Sequence, residues 1–582
     1  MKHAIAIFMM LFFKTLLADG SEPELRVQHR RPSAATLIND GRILCVANRR
    51  SGTLSLVDTE RRHVSERQIG QQLSDVVVVP GSDQMLVTDF AGSMVVVVNH
   101  SEDGLNISDR VEVAAWPESV VVNQDGDVAC VASLWSRRVS ILALREPAQG
   151  VTRRFAMQHQ IDLPFAPKAS VFVGADHVVV ADCFGGRLAV IDCEAGVISA
   201  EHELPVHNIR DIAVGLDGRL YLTCQRLNSK AHVDYEDIHW GILLENEILA
   251  IRAESLINAR DESEFRSERI SLGGPGEGAG DPGSIVVTSN QFVLTLAGTD
   301  ELAIVDRVGV RQGRIPVGRR PVSVIRDVAV NRAYVVNSLS DSVSLVDLMN
   351  NRLVDTVSLG PSPSRGPVER GEVAFFSAKL SHENWMSCHS CHTDGHTNNG
   401  LADTLGDSAF GDAKRVPTLR GVWSTGPWAW NGSEHLLNGQ IRKSLMLTMR
   451  TSQLTDEVLT DLTAYVTKLE RPPAVAVARG EGPHPTVEYK GREVFESAGC
   501  SKCHNGFTSY TTDDTFDVGL SDAHGESRFN PPSLNGISQR DRFLHDGRAR
   551  SIEDVLMRIE HPLPQSLLES DRKTLIEFLL AL

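Results

Sequence analysis

Beyond its first twenty residues the chain has no apolar run long enough to cross a bilayer core of about 30 Å, so no integral span is expected once that start is removed. It also lacks any cluster of lysine and arginine. With a formal charge of −17, and with phosphate binding dependent on clustered cations, this argues against a nucleic-acid partner. Cysteine is sparse: nine in 582 residues. Five of them (Cys45, Cys130, Cys183, Cys193 and Cys224) lie singly in β-like segments. An odd number cannot pair fully within one chain, and these thiols read as small buried apolar groups.

The start itself reads MKHAIAIFMMLFFKTLLADG. A basic head at Lys2, an apolar stretch from Ala4 to Phe13 and a small residue at Ala18 form the pattern of an export signal over residues 1–18. The apolar stretch is too short for an anchor and Lys14 interrupts it. A periplasmic or otherwise extracytoplasmic protein of bacterial type is expected.

Between residues 33 and 361 one pattern returns about seven times: a short apolar strand, a small polar loop, and a second apolar strand often closing on Asp. CVANRRSGTLSLVD from Cys45, VVADCFGGRLAVID from Val179 and YVVNSLSDSVSLVD from Tyr334 are examples. Strand pairs repeating every 40 to 50 residues or so are the mark of propeller blades, because one blade cannot bury both its faces without neighbours. An insertion between the fifth and sixth units carries His232, His239 and Trp240, either lining a site over the channel mouth or serving as plain loop residues. The units resemble the YVTN family of seven-bladed β-propellers, a resemblance that implies fold far more than function.

After a Pro/Gly-rich stretch near residue 361 come two CxxCH motifs: Cys388, Cys391 and His392, then Cys500, Cys503 and His504. Two thiols one helical turn apart match the two vinyl groups of a haem, and the histidine that follows is placed to ligate iron. Two covalently bound haem c groups are expected. A shared zinc site would leave both histidines unexplained. The flanks repeat as well: GEVAFF answers GREVF, VPTLRGV answers PPSLNGI, WAWNGS answers FLHDGR, and each half closes with an amphipathic helix. The fold class read from the sequence is multidomain, an all-β seven-bladed propeller followed by two mainly α-helical cytochrome-c-like domains at residues 369–471 and 486–582.

From about Glu369 onward the order of motifs resembles the bacterial dihaem cytochrome c peroxidase superfamily. The resemblance implies a second axial ligand before each closing helix, Met446 or Met449 in the first half and Met557 or His561 in the second. Met449 and His561 are preferred because they stand at about the same distance from those helices. Trp430 matches a tryptophan between the haems and Gln440 a glutamine near the reactive haem. The family's glutamate for proton transfer is replaced by the stretch Met449-Arg450-Thr451. A calcium ion between the haem domains is a further implication, with Asn399 or Asp403 as its ligands. His389 is expected to face solvent, and His396 to stay in the loop on the proximal side.

Two readings follow. In one, the chain is an oxidoreductase passing electrons between two haems and a soluble partner protein or small oxidant. In the other, both haems are six-coordinate, the propeller docks a protein partner, and the cytochrome part only relays electrons.

Overall fold

The computed structural model describes residues 25–101, 104–145, 154–258, 266–406, 408–559, 561 and 567–582. The export signal expected over residues 1–18 lies outside them. Among the described residues no helix is long and apolar enough to cross a membrane.

Seven four-stranded antiparallel sheets, each a simple meander, occupy Pro32 to Ser358. Their first strands are Pro32–Ile38, Leu73–Val78, Pro117–Val122, Pro167–Val173, His207–Val214, Pro282–Val287 and Pro321–Asp327. Each packs against the next, and the first packs against the last, so the blades close into a ring around these strands. Five of the seven begin with proline, which a sheet tolerates at a strand's first residue. The recurrent terminal Asp also has a local reason. Asp58 accepts from the amides of Glu60 and Arg61, and Asp347 from those of Met349 and Asn350, so the carboxylate shapes the turn into the fourth strand.

Apolar side chains of neighbouring blades interlock, for example Cys45 and Leu54 with Leu73, Val87 and Val96. Each blade thus buries a face it cannot cover alone. The five scattered cysteines are buried and unbridged, as small apolar residues would be. The ring's ends are joined by Arg30, whose fully buried guanidinium bonds Glu66 at 3.1 and 2.8 Å and the Pro361 carbonyl at 3.0 Å.

Two short helices ornament the fifth blade, α1 (Tyr235–His239) and α2 (Ala253–Asn258). A helical region follows the ring: α3 (Pro367–Phe375), α4 (Cys388–Cys391), α5 (Leu437–Lys443), α6 (Asp456–Val466), α7 (Val475–Ala478), α8 (Pro485–Ser497) and α9 (Glu569–Leu580). It contains two pairs of crossed helices, α3 with α6 and α8 with α9. Each crossing turns on a glycine. A Cβ on Gly371 would lie 1.9 Å from the Asp461 carbonyl oxygen, and one on Gly491 2.3 Å from the Phe578 Cβ. The segment between the pairs is fixed to the propeller, with Arg479 bonded to the Ser136 carbonyl at 2.8 Å and to Asp162 at 2.9 Å.

Candidate functional site

Helix α4 is a single turn whose start is capped by its serines. The Ser387 amide donates to Ser390 Oγ at 2.9 Å, and both hydroxyls donate to Asp281 of the propeller at 2.5 and 2.6 Å. His207 of the propeller donates to the Ser390 carbonyl at 3.0 Å. One face of the turn, His389 and Ser390, is thereby buried against the propeller, while Cys388, Cys391 and His392 stay half-buried on the other side.

His392 Nδ1 lies 2.9 Å from the Pro417 carbonyl, and His504 Nδ1 lies 3.1 Å from the Tyr510 carbonyl. A carbonyl only accepts, so each Nδ1 carries the proton and each Nε2 keeps a free lone pair. Burial lowers both rings to a pKa of about 4, which leaves them neutral near pH 7. Burial also pushes the Cys388 and Cys391 thiols up to about 12, and that of Cys500 to about 11, so these sulfurs keep their protons. Paired thiols with an adjacent neutral imidazole suit haem c.

Two buried arginines add to this fit. Arg415 and Arg540 have no carboxylate partner among the described residues, and each keeps a buried guanidinium nitrogen without any acceptor. Burial depresses them to about 9 and about 10. A buried cation calls for an anion, and haem carboxylates are anions of the required kind. Gln440 has a buried side-chain oxygen without a donor, its amide nitrogen being 3.2 Å from Ser444 Oγ.

The two halves meet through reciprocal bonds. The Arg415 amide donates to the His545 carbonyl at 2.7 Å, and the Asn530 amide to the Trp430 carbonyl at 2.8 Å. Arg415 and Asn530 each precede the VPTL or PPSL segment of their half, and Trp430 and His545 hold matching places in the turns after it. Those turns share a bridge, Trp428 with Glu434 and Phe543 with Ala549. Trp430 therefore sits at the joint, its indole N–H donating to the Arg415 carbonyl at 3.0 Å.

A second repeat precedes each closing helix, a turn in which hydrogen bonds span five residues: Met449 to Ser444 at 3.0 Å and Ile559 to Asp554 at 3.1 Å. The next bond runs from Thr451 to Leu445 in one half and from His561 to Val555 in the other. This pattern aligns Met449 with Ile559 and Thr451 with His561, replacing the alignment by distance from the closing helix. The His561 ring centroid is 6.4 Å from that of His504, and its Nδ1 is buried without a partner. Two imidazoles that each place a nitrogen about 2 Å from one metal ion have centres roughly this far apart. Met449 is buried in the apolar cluster that Cys388 borders, whereas Met446 and Met557 are 49% and 38% exposed.

The other residues singled out in the sequence have defined places. His389 does not face solvent: it is 4% exposed, accepts a bond from the Asp394 amide and packs on Phe376. The reason is that α4 turns this side toward the propeller. His396 is fully buried between Trp135 and Phe184, bonded to Thr418 and to the Gln539 carbonyl, so it fastens propeller and both halves together. Asn399 and Asp403 have separate partners, Asp541 and the Gly411 amide. His239 pairs with Glu383 at 2.9 Å and His232 stacks on Phe410, while Trp240 is exposed; the insertion braces the helical region and does not line the channel.

Residues 367–476 match the family of di-haem cytochrome c peroxidases. The chain is 26% identical over 251 residues to methylamine utilization protein MauG of Methylorubrum extorquens, an alignment spanning 34% of this chain and 70% of that protein. Hydrazine synthase of Kuenenia stuttgartiensis aligns with a TM-score of 0.47 at 17% identity, over 57% of this chain and 99% of that one. Virginiamycin B lyase of Staphylococcus aureus aligns at 0.38 and 12% identity, over 53% and 92%.

Proposed function

We propose that this chain, with a di-haem cytochrome c peroxidase domain at residues 367–476, is an exported dihaem c-type oxidoreductase that reacts at its first haem and relays electrons through its second. Haem c would supply an iron that changes oxidation state and can take a small oxidant or substrate. Cys388, Cys391 and His392 would hold one such group, and Cys500, Cys503 and His504 the other. His561 would help His504 hold the second. Gln440, with its free oxygen, orients what enters the first half, and Trp430 lies on the route between the halves. A soluble electron-transfer protein or a small oxidant completes the circuit.

One observation carries this reading. The same hydrogen-bonded turn brings an imidazole, His561, to one half and a hydroxyl, Thr451, to the other. A threonine hydroxyl is a poor partner for haem iron beside imidazole or thioether, so the halves are unequal by construction. The relay reading has a specific point in its favour, the burial of Met449 in the cluster that Cys388 borders.

Spectroscopy of the purified ferric holoprotein separates the two. The first reading expects one low-spin haem and one high-spin haem, the latter responding to added peroxide. Two unresponsive low-spin haems, one of which turns high-spin in Met449→Ala, would establish the relay.

A further inference from the structure

The seven first strands surround a cavity of about 970 Å³, closed at one end by the back of the first CxxCH loop. Eight cations and seven carboxylates line it. Six of the cations pair with four carboxylates. Arg50 holds Glu369 at 3.2 Å. Arg31 holds Glu372 at 2.6 Å; Arg49 and Lys168 share Glu118 at 2.9 and 2.5 Å; Arg210 and Arg320 share Asp394 at 3.0 and 3.5 Å. Arg420 bonds only backbone carbonyls, those of Asp394 and Glu470, and its Nε is buried without a partner.

Three of the remaining lining carboxylates are committed to holding the fold. Asp75 accepts from the Val76 and Val120 amides, Asp211 from the Ile212 and Ile285 amides, and Asp281 from Ser387, Ser390 and Gln225. The wall is therefore short of anionic partners. Three of the guanidinium groups also lie on aromatic faces, Arg49 on Phe90 at 4.2 Å, Arg320 on Phe376 at 3.4 Å and Arg420 on Trp135 at 5.2 Å. Stacking fixes a guanidinium plane and leaves N–H edges to bind. His389 adds a donor. Its Nδ1 accepts the Asp394 amide, so the proton sits on Nε2 of a ring that lines the same cavity.

We propose that this cavity is a binding site for a small organic anion, a carboxylate head on an apolar or aromatic body, seated between the propeller and the back of the first CxxCH loop. Arg420, which no carboxylate pairs, and the N–H edges of the stacked guanidinium groups select the charge, and Phe90, Trp135 and Phe376 border the body. The proposal stands apart from the axial ligands, since it concerns the opposite face of the loop.

Isothermal titration of the purified dihaem protein with benzoate tests it, with protonated benzylamine as a probe of equal size and opposite charge. Benzoate is expected to bind at one site and benzylamine to give no saturable heat. Lys168→Gln leaves Arg49 on Glu118, and Arg420→Gln breaks no ion pair, so both variants should fold. A loss of benzoate affinity of roughly tenfold in either one, the effect of one charged hydrogen bond, supports the site. Absent benzoate binding, equal binding of the two probes, or unchanged affinity in both variants overturns it.

Discussion

His561 and Thr451 occupy the same place in two matching turns. Replacing His561 with alanine is expected to convert one haem from low-spin to high-spin while leaving the other unchanged, as read by visible and electron paramagnetic spectra. Thr451→His should do the reverse, turning the reactive half low-spin and silencing its response to peroxide. An unchanged spectrum in His561→Ala would remove it as a ligand. The two CxxCH motifs stand out in the sequence by their spacing alone. The correspondence of Thr451 with His561 does not, because a turn bonded over five residues breaks the helical period by which sequence positions are compared. Arg415 and Arg540 left no trace in the sequence either, since a buried cation without an acid is a property of three dimensions.

The glycines at the two helix crossings are the element-scale counterpart of that repeat. Any side chain at Gly371 meets the Asp461 carbonyl, and any at Gly491 meets the Phe578 side chain. Gly371→Ala and Gly491→Ala should each destabilise the protein by about 1–3 kcal/mol, the range for forcing extra volume into a packed contact. Urea unfolding checks this, and equal haem content in parent and variants shows whether the crossing also governs cofactor retention. At this scale the sequence was informative: the strand pairs marked from Cys45, Val179 and Tyr334 are the middle hairpins of their blades. The docking of the inter-half segment through Arg479 was hidden, because an arginine among prolines and alanines reads as a plain linker.

Across the whole molecule, stability depends on charges buried where parts meet. Arg30→Ala removes the bonds that tie the first blade to the segment after the last and leaves Glu66 without its cation, bonded to Thr53; a loss of about 3 to 5 kcal/mol is expected, visible as a lower denaturant midpoint. Asp182 of the propeller faces Asp541 of the second half, and burial together with that neighbour pushes its carboxyl up to about 7. A raised acid favours folding while it is protonated in both states, below the ordinary aspartate value of 3.8. As pH climbs, the unfolded chain ionises first, and the advantage is lost by the time pH passes the folded value. Asp182→Asn should flatten this fall, so that parent and variant differ more at about pH 8 than at about pH 5 in urea unfolding.

The crossed amide bonds at the joint, Arg415 to His545 and Asn530 to Trp430, carry one more implication. Each half offers the other the same kind of donor and receives the same kind of acceptor. That is the geometry of an isologous contact, which ordinarily joins two copies of a single subunit. The carboxyl-terminal region is in effect a dimer written into one chain. Because its two members are covalently tied, they need not be identical, and unlike residues, Thr451 and His561, stand in matching turns of a symmetric frame.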